Sequence, residues 1–268
     1  MIISKTPFRI SFFGGGTDFR EFYTQNHNSG VIATTINKYC YISIRELPNF
    51  FDHLHRISYS KIEEVKSIQD IQHPVIKSIL QMYKINTGLE IHYDADIPAR
   101  SGLASSSAFT VGMLNVIMEM LNEKRNKDIL ADKALYVEQN ILKEAVGSQD
   151  QIITSFGGLN HIKFCKDGTY EINSLKLDFE QKNKLLDHLM LFYTGTQRYA
   201  VNIESDKIKN IKKNSEYLKN ISKIKDEALN LFSKKELNFF EIGNLLNNSW
   251  QQNDVPKPGR ANKHHIIK

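Results

Sequence analysis

Short apolar stretches that suit strands alternate along this chain with longer ones of helical period. Pro7 to Phe13, Gly30 to Asn37 and Tyr39 to Arg45 are rich in aromatic and β-branched residues, and Gly88 to Ile97 repeats that strand signal. Helical patterning takes over at Pro74 to Tyr83, Ala104 to Leu121 and Ile129 to Val146, before FGGLNHIKF (Phe156 to Phe164) returns to strand. The first part is therefore mixed α and β. After Gly168 a second block opens with a strand-like LMLFYTG, Leu189 to Gly195, and continues as long lysine-rich helical sequence up to Trp250. The join between the two blocks is placed near residues 165–180, and no repeat or proline-rich linker marks it.

One helix departs from simple amphipathicity. The sequence AFTVGMLNVIMEML is apolar on nearly every side, so it belongs to a buried helix. Directly before it stands PARSGLASSSAF, Pro98 to Phe109, with four serines and a glycine. A buried helix whose first turn is small and polar aims its unpaired N–H groups and positive dipole end at something other than packed side chains. That is an anion site. The alternative is a serine N-cap on an ordinary core helix, which needs one serine and not three in succession. No G-x-x-x-x-G-K-[ST], no G-x-G-x-x-G opening a helix after a strand and no G-x-S-x-G is present, which excludes a P-loop, a dinucleotide fingerprint and a serine-hydrolase elbow.

The helical stretch from Ile129 to Val146 supplies a carboxylate in an unexpected place. Ala134, Leu135, Ile141, Leu142 and Ala145 share one face at 3.6-residue spacing, and Glu138 falls in its middle. A carboxylate there needs a cation or strong donors, or it becomes neutral. A salt bridge to a core arginine is one solution. A metal is the other, since magnesium takes one or two carboxylates and completes its shell with phosphate oxygens and water. Beyond this helix, in AVGSQDQ, Asp150 opens the next element, as a first-turn acid on a helix dipole or as a base near the phosphate loop. Near the N-terminus, TPFRISFFGGGTDF (residues 6–19) puts Phe8, Ile10 and Phe12 on one strand face and Arg9 and Ser11 on the other, then turns through three glycines to Thr17 and Asp18. A structural turn capped by Thr17 or Asp18 explains the glycines and leaves the arginine unexplained.

Composition narrows the field. With 268 residues, 41% hydrophobic and 24% charged, the chain can bury one large core or two modest ones. The net charge of +5 comes largely from Lys207 to Lys235, which suits a solvated helix face; basic and aromatic residues do not interleave, which speaks against a nucleic-acid partner. Cys40 and Cys165 form neither a disulfide framework nor metal-ligand spacing, as suits a reducing compartment. No apolar run approaches the roughly 20 residues of a membrane span, and MIISKTPFRI does not read as a signal peptide, so a cytoplasmic protein with no membrane partner is expected.

Read together, the motifs resemble the GHMP kinases, the superfamily of galactokinase, homoserine kinase, mevalonate kinase and phosphomevalonate kinase. The resemblance runs from about Lys5 to Trp250. PARSGLASSSA is similar to that family's phosphate loop, and TPFRISFFGGGTDF to its N-terminal substrate motif in the form found in bacterial heptose 7-phosphate kinases. The implied fold is α+β in two domains. Residues 1–170 would be a mixed α/β domain for ATP and sugar, and residues 171–268 a ferredoxin-like α+β domain. The resemblance implies that Arg100, Ser101, Gly102, Leu103, Ala104, Ser105, Ser106 and Ser107 surround ATP, with Ser106 and Glu138 holding Mg2+. It makes Asp150 the catalytic base and Arg9 a support for developing charge. Asp18, Gly15, Gly16 and Thr17 would meet the sugar, with Arg198 as a donor to its phosphate beside Arg100 and Lys38. Gly15 stands where galactokinase has a glutamate, which counts against galactose. The implied reaction is ATP-dependent phosphorylation of the anomeric hydroxyl of D-glycero-α-D-manno-heptose 7-phosphate to the 1,7-bisphosphate, for nucleotide-activated heptose and surface polysaccharide. A homodimer is compatible with it.

The resemblance also has a gap. GHMP kinases usually carry a third, glycine-rich motif near the C-terminus; here NNSWQ runs instead into the polar QNDVPKPGRANKHHIIK, so the second domain is expected to be incomplete. A truncated sugar-phosphate or nucleotide-binding protein of the same fold, and a kinase for another sugar or small alcohol such as mevalonate, are the alternatives.

Overall fold

A computed structural model describes residues 1–99, 101–192 and 215–252, which fall into two units that are taken separately below. Unit 1 comprises Met1–Arg9, Thr35–Val146 and Asp150–Gly157; unit 2 comprises Ile10–Thr34, Gly147–Gln149 and the chain from Gly158 on. Two long strands, β1 (Ile2–Phe13) and β2 (Ser29–Glu46), pair with each other and contribute to both units.

In unit 1 the later part of β2 pairs antiparallel with β5 (Leu89–Ala95), from Cys40 opposite Ala95 to Glu46 opposite Leu89. β5 pairs in parallel with β3 (His55–Ser58), which forms a hairpin with β4 (Ile62–Val65). The sheet is therefore mixed. A 3-10 turn (Ile68–Asp70) leads to α2 (Pro74–Met82), whose first position is proline, where the missing N–H costs nothing. α3 (Ser105–Met120) is buried along most of its length, as its all-round apolarity requires, and contacts α2 and α4 (Lys127–Leu135). A π-helical turn (Tyr136–Ile141) continues α4 and packs on α2, and α5 (Gln149–Phe156) follows a bend.

In unit 2 the early part of β2 pairs antiparallel with β6 (Leu159–Phe164), and β6 with β7 (Tyr170–Ser174). The short α1 (Arg20–Tyr23), α6 (Phe179–Asp187), α7 (Ser215–Phe232) and α8 (Phe239–Gln252) complete the described part. Phe12, Phe13 and Ile32 from the strands bury themselves with Ala228, Leu231 and Phe232 of α7 and Ile242 of α8. Each large apolar side chain buried this way contributes about 1.5–3 kcal/mol. A smaller cluster joins Phe19 and Phe22 to Leu218.

Three expectations need correction. The two strands read across Gly30–Arg45 are one: Asn37 and Lys38 are exposed and polar, but pairing on either side of them carries the strand through. The helix expected from Ile129 to Val146 leaves α-geometry after Leu135, widens into the π-turn and ends by Leu142, with Lys143 in the left-handed region at φ 54°. The strand expected at Leu189–Gly195 is absent over 189–192, where Met190, Leu191 and Phe192 are exposed; the rest of it lies outside the described residues.

Candidate active site

The serine-glycine loop enters α3 through two left-handed residues, Gly102 at φ 79° and Ala104 at φ 62°. Ala104 is the N-cap, and it offers no side-chain oxygen to the first-turn N–H groups. A serine N-cap does not account for this loop. A left-handed alanine costs about 1 kcal/mol, the kind of local strain that persists where surroundings enforce it. Ser107 is buried, Ser106 is exposed, and the buried Ser101 hydroxyl has no hydrogen-bond partner among the described residues.

Arg9 holds this loop from below. Its backbone N–H donates to the Leu103 carbonyl at 3.1 Å and its Nη1 to the Gly102 carbonyl at 2.9 Å. The other edge of the guanidinium is a fork on Asp150, with Nε donating to Oδ1 at 2.8 Å and Nη2 to Oδ2 at 2.7 Å. Such two-point pairing fixes the plane of the carboxylate as well as its distance. The Asp150 side chain is still 25% exposed, so a hydroxyl can reach it. Arg9 and Asp150 are 141 residues apart in the chain, and the structure brings them together.

Glu138 sits on the π-turn and is fully buried, as its place on the apolar face predicts. Its Oε2 accepts from Ser107 Oγ at 3.0 Å and from Gln151 Nε2. Its Oε1 has no hydrogen-bond partner among the described residues. Burial pushes its pKa up to about 7, opposed by the nearby Thr110 hydroxyl, the Gln151 amide and the Ser107 hydroxyl and reinforced by the Glu144 carboxylate. Among the described residues no arginine forms an ion pair with Glu138. π-turns recur at functional positions because they re-aim a side chain that α-geometry would misplace. The contact is with Ser107, one position after the serine that the motif nominates. Gln151 escaped the sequence reading altogether; its place beside Asp150 in QDQ was the only signal.

In unit 2 the N-terminal glycines build a second cluster around Asp18. The Gly16 N–H donates to Asp18 Oδ1 at 3.0 Å, the Gln149 N–H to Oδ2 at 3.3 Å, and the Ser148 N–H to the Asp18 carbonyl at 3.0 Å. Asp18 is buried, and only glycine fits at 147, where a Cβ would stand 1.9 Å from Asp18 Oδ2. Gly14, at φ 83°, lies against the Gly30 carbonyl, 2.0 Å from where its own Cβ would be. The Thr17 hydroxyl is engaged with Gly14 and Gly30, donating to their carbonyls at 2.8 and 2.9 Å and accepting from the Gly30 N–H at 3.1 Å. Ser11 Oγ donates to Gln149 Oε1 at 2.8 Å. Gly15 and Lys38 are exposed. Arg100 and Arg198 lie outside the described residues.

Residues 70–158, which include α2, the serine-glycine loop, α3, the π-turn and α5, match the model of the GHMP kinases N terminal domain. This stretch is a GHMP kinase N-terminal domain. Over 266 residues the chain is 27% identical to D-glycero-alpha-D-manno-heptose 7-phosphate kinase of Campylobacter jejuni, covering 95% of this chain and 77% of that protein. It is 25% identical to a galactokinase of Pyrococcus furiosus over 251 residues, covering 91% of this chain and 64% of the relative. The GHMP kinase fold extends past the N-terminal domain: a D-glycero-D-manno-heptose 1-phosphate kinase structure from Bacteriodes thetaiotaomicron superposes with a TM-score of 0.69 at 22% identity, covering 96% of this chain and 80% of that one. No helix among the described residues is long and apolar enough to cross a membrane.

The GHMP kinase resemblance calls for magnesium, and the donors present fit it. Among the described residues no three His, Cys, Asp or Glu side chains gather, so a cage made wholly of protein ligands is not on offer. Magnesium does not need one, because it keeps water and phosphate oxygens in its shell. A buried carboxylate with one oxygen committed and the other unpartnered among the described residues is the share it asks of the protein.

Proposed function

We propose that this chain is an ATP-dependent sugar-phosphate kinase that phosphorylates the anomeric hydroxyl of D-glycero-α-D-manno-heptose 7-phosphate. One observation carries the reading: the Arg9 guanidinium is forked on Asp150 while its remaining edge holds the Gly102 carbonyl of the phosphate loop. A proton acceptor is thereby tied to the place where nucleotide phosphates are expected. Phosphoryl transfer asks mainly for positioning and charge neutralisation.

In this reading the amides and hydroxyls of Ser101–Ser107, with Arg100, receive the ATP phosphates at the N-terminus of α3. Glu138 and Ser106 hold magnesium, which when bound neutralises charge on the phosphate oxygens. Asp150 takes the proton of the sugar hydroxyl, whose oxygen forms the new bond to the γ-phosphorus as the bond to ADP breaks. Arg9 fixes the plane of Asp150 and faces the charge that develops. Asp18, with Gly15, Gly16 and Thr17, holds the sugar. For Thr17 that role falls to the backbone, since its hydroxyl is already engaged. Arg198, Arg100 and Lys38 are the candidate cations for a substrate phosphate. Residues 1–170 act as the ATP- and sugar-binding domain and 171–268 as the second domain. The product would feed nucleotide-activated heptose for surface polysaccharide in the cytoplasm.

The test is ADP release by the purified chain with magnesium-ATP and a panel of sugars that includes the heptose 7-phosphate, beside an Asp150→Asn control. The heptose should stand out, and the control should lose about 10²–10⁴-fold in rate. Release that ignores Asp150→Asn would refute the mechanism, and a preference for another alcohol would refute the substrate.

A further inference from the structure

The two oxygens of Glu138 keep unequal company. A carboxylate offers about four lone-pair sites, yet the two hydrogen bonds it accepts, from Ser107 Oγ and Gln151 Nε2, converge on Oε2, the nearby Thr110 hydroxyl donates to the Ser106 carbonyl, and Oε1 has no partner among the described residues. Gln151 is wholly buried, and its own Oε1 is also without a partner among the described residues. Burying an amide for one side-chain hydrogen bond is expensive. Leucine or methionine would fill the space more cheaply, so the amide is there for what it does to Glu138.

We propose that Gln151 is a positioning residue for magnesium, an inference that rests on the kinase reading above. By donating to Oε2, Gln151 holds the Glu138 side chain in one rotamer and leaves Oε1 as the oxygen offered to the ion. The amide nitrogen is the end that faces Glu138, because an amide oxygen there would oppose a carboxylate oxygen. α5 thus carries two functions on successive residues: Asp150, forked by Arg9, and Gln151, which sets the metal ligand. Outer partners of metal ligands act in this way in general, and their loss weakens metal affinity about 10–100-fold.

The experiment uses the full chain and two variants. Gln151→Met keeps the volume and removes the donor; Gln151→Asn keeps an amide that is one methylene too short, and serves if the methionine variant does not fold. Magnesium is titrated at fixed ADP while the melting temperature is followed, and ADP affinity is measured separately in EDTA. The magnesium midpoint should rise about 10–100-fold in either variant, with metal-free ADP affinity unchanged within about twofold. A midpoint equal to that of the native chain overturns the proposal, and so does an equal loss of metal-free ADP binding, which would mean a merely structural amide. A native chain with no magnesium-dependent shift would instead overturn the kinase reading itself.

Discussion

Replacing His161 by phenylalanine should remove most of an acid sensitivity that unit 2 carries. His161 lies on β6 opposite Ile32 of β2 and is buried, and its Nε2 has no hydrogen-bond partner among the described residues. Desolvation lowers its basicity from 6.5 to about 4, helped by the Lys225 and Lys163 ammonium groups and opposed by the Asp226 and Glu171 carboxylates. Lys225 cannot move away: its side chain is buried, and its Nζ is held by Asn28 Oδ1 at 2.9 Å and by Asp226 at 2.7 Å. A protonated His161 would therefore face a fixed cation. Because the folded-state value is depressed, this contribution to stability is complete above pH 6.5 and is lost as pH falls toward 4. At pH 5 that shift corresponds to about 2 kcal/mol, or about 1–2 once the solvent-facing rim of the ring is allowed for. Urea unfolding of both proteins at pH 7.5 and pH 5 gives the double difference, in which every other titrating group cancels to first order. His161→Phe should lose about 1–2 kcal/mol less than the native chain over that interval. Equal losses would refute the reasoning.

Two further substitutions probe the site. Gly147→Ala places a methyl carbon on Asp18 Oδ2, so Asp18 must leave its amide donors; unfolding should be easier by about 2 kcal/mol or more, and an unchanged denaturation midpoint would show that the loop yields freely. Arg9→Lys keeps the charge but cannot reproduce the fork on Asp150 or hold the Gly102 carbonyl at the same time; kcat for ADP release should fall about 10²-fold, and a native kcat would show that charge alone suffices there.

What the sequence disclosed depended on how local each cause was. The buried α3 and the inward Glu138 follow from periodicity along a single helix, and both are found. The left-handed Ala104 was invisible, because alanine disfavours that conformation and only the Arg9 contacts to Gly102 and Leu103 indicate what secures the loop. The end of α4 was misread for a similar reason: residues 142–146 have helical composition, but the turn from Glu138 to Asp150 must bring Gly147 and Gln149 to Asp18, which a continuous helix could not do. Arg9 and Asp150 were each singled out by motif, while their pairing depends on β1 and α5, which no local pattern relates. Gln151 differs from most glutamines only in being buried, which composition does not reveal.

β2 has a bearing on how such a chain can change over generations. Its first residues, Ser29–Thr34, are registered against β6 and its last, Cys40–Glu46, against β5, so one alternation of side chains between the two sheet faces serves both ladders. A single codon gained or lost near Asn37 would reverse that alternation for one ladder while leaving the other intact. Length variation in this strand can therefore survive only in steps of two residues or as a bulge, and relatives should differ there by substitution far more than by insertion.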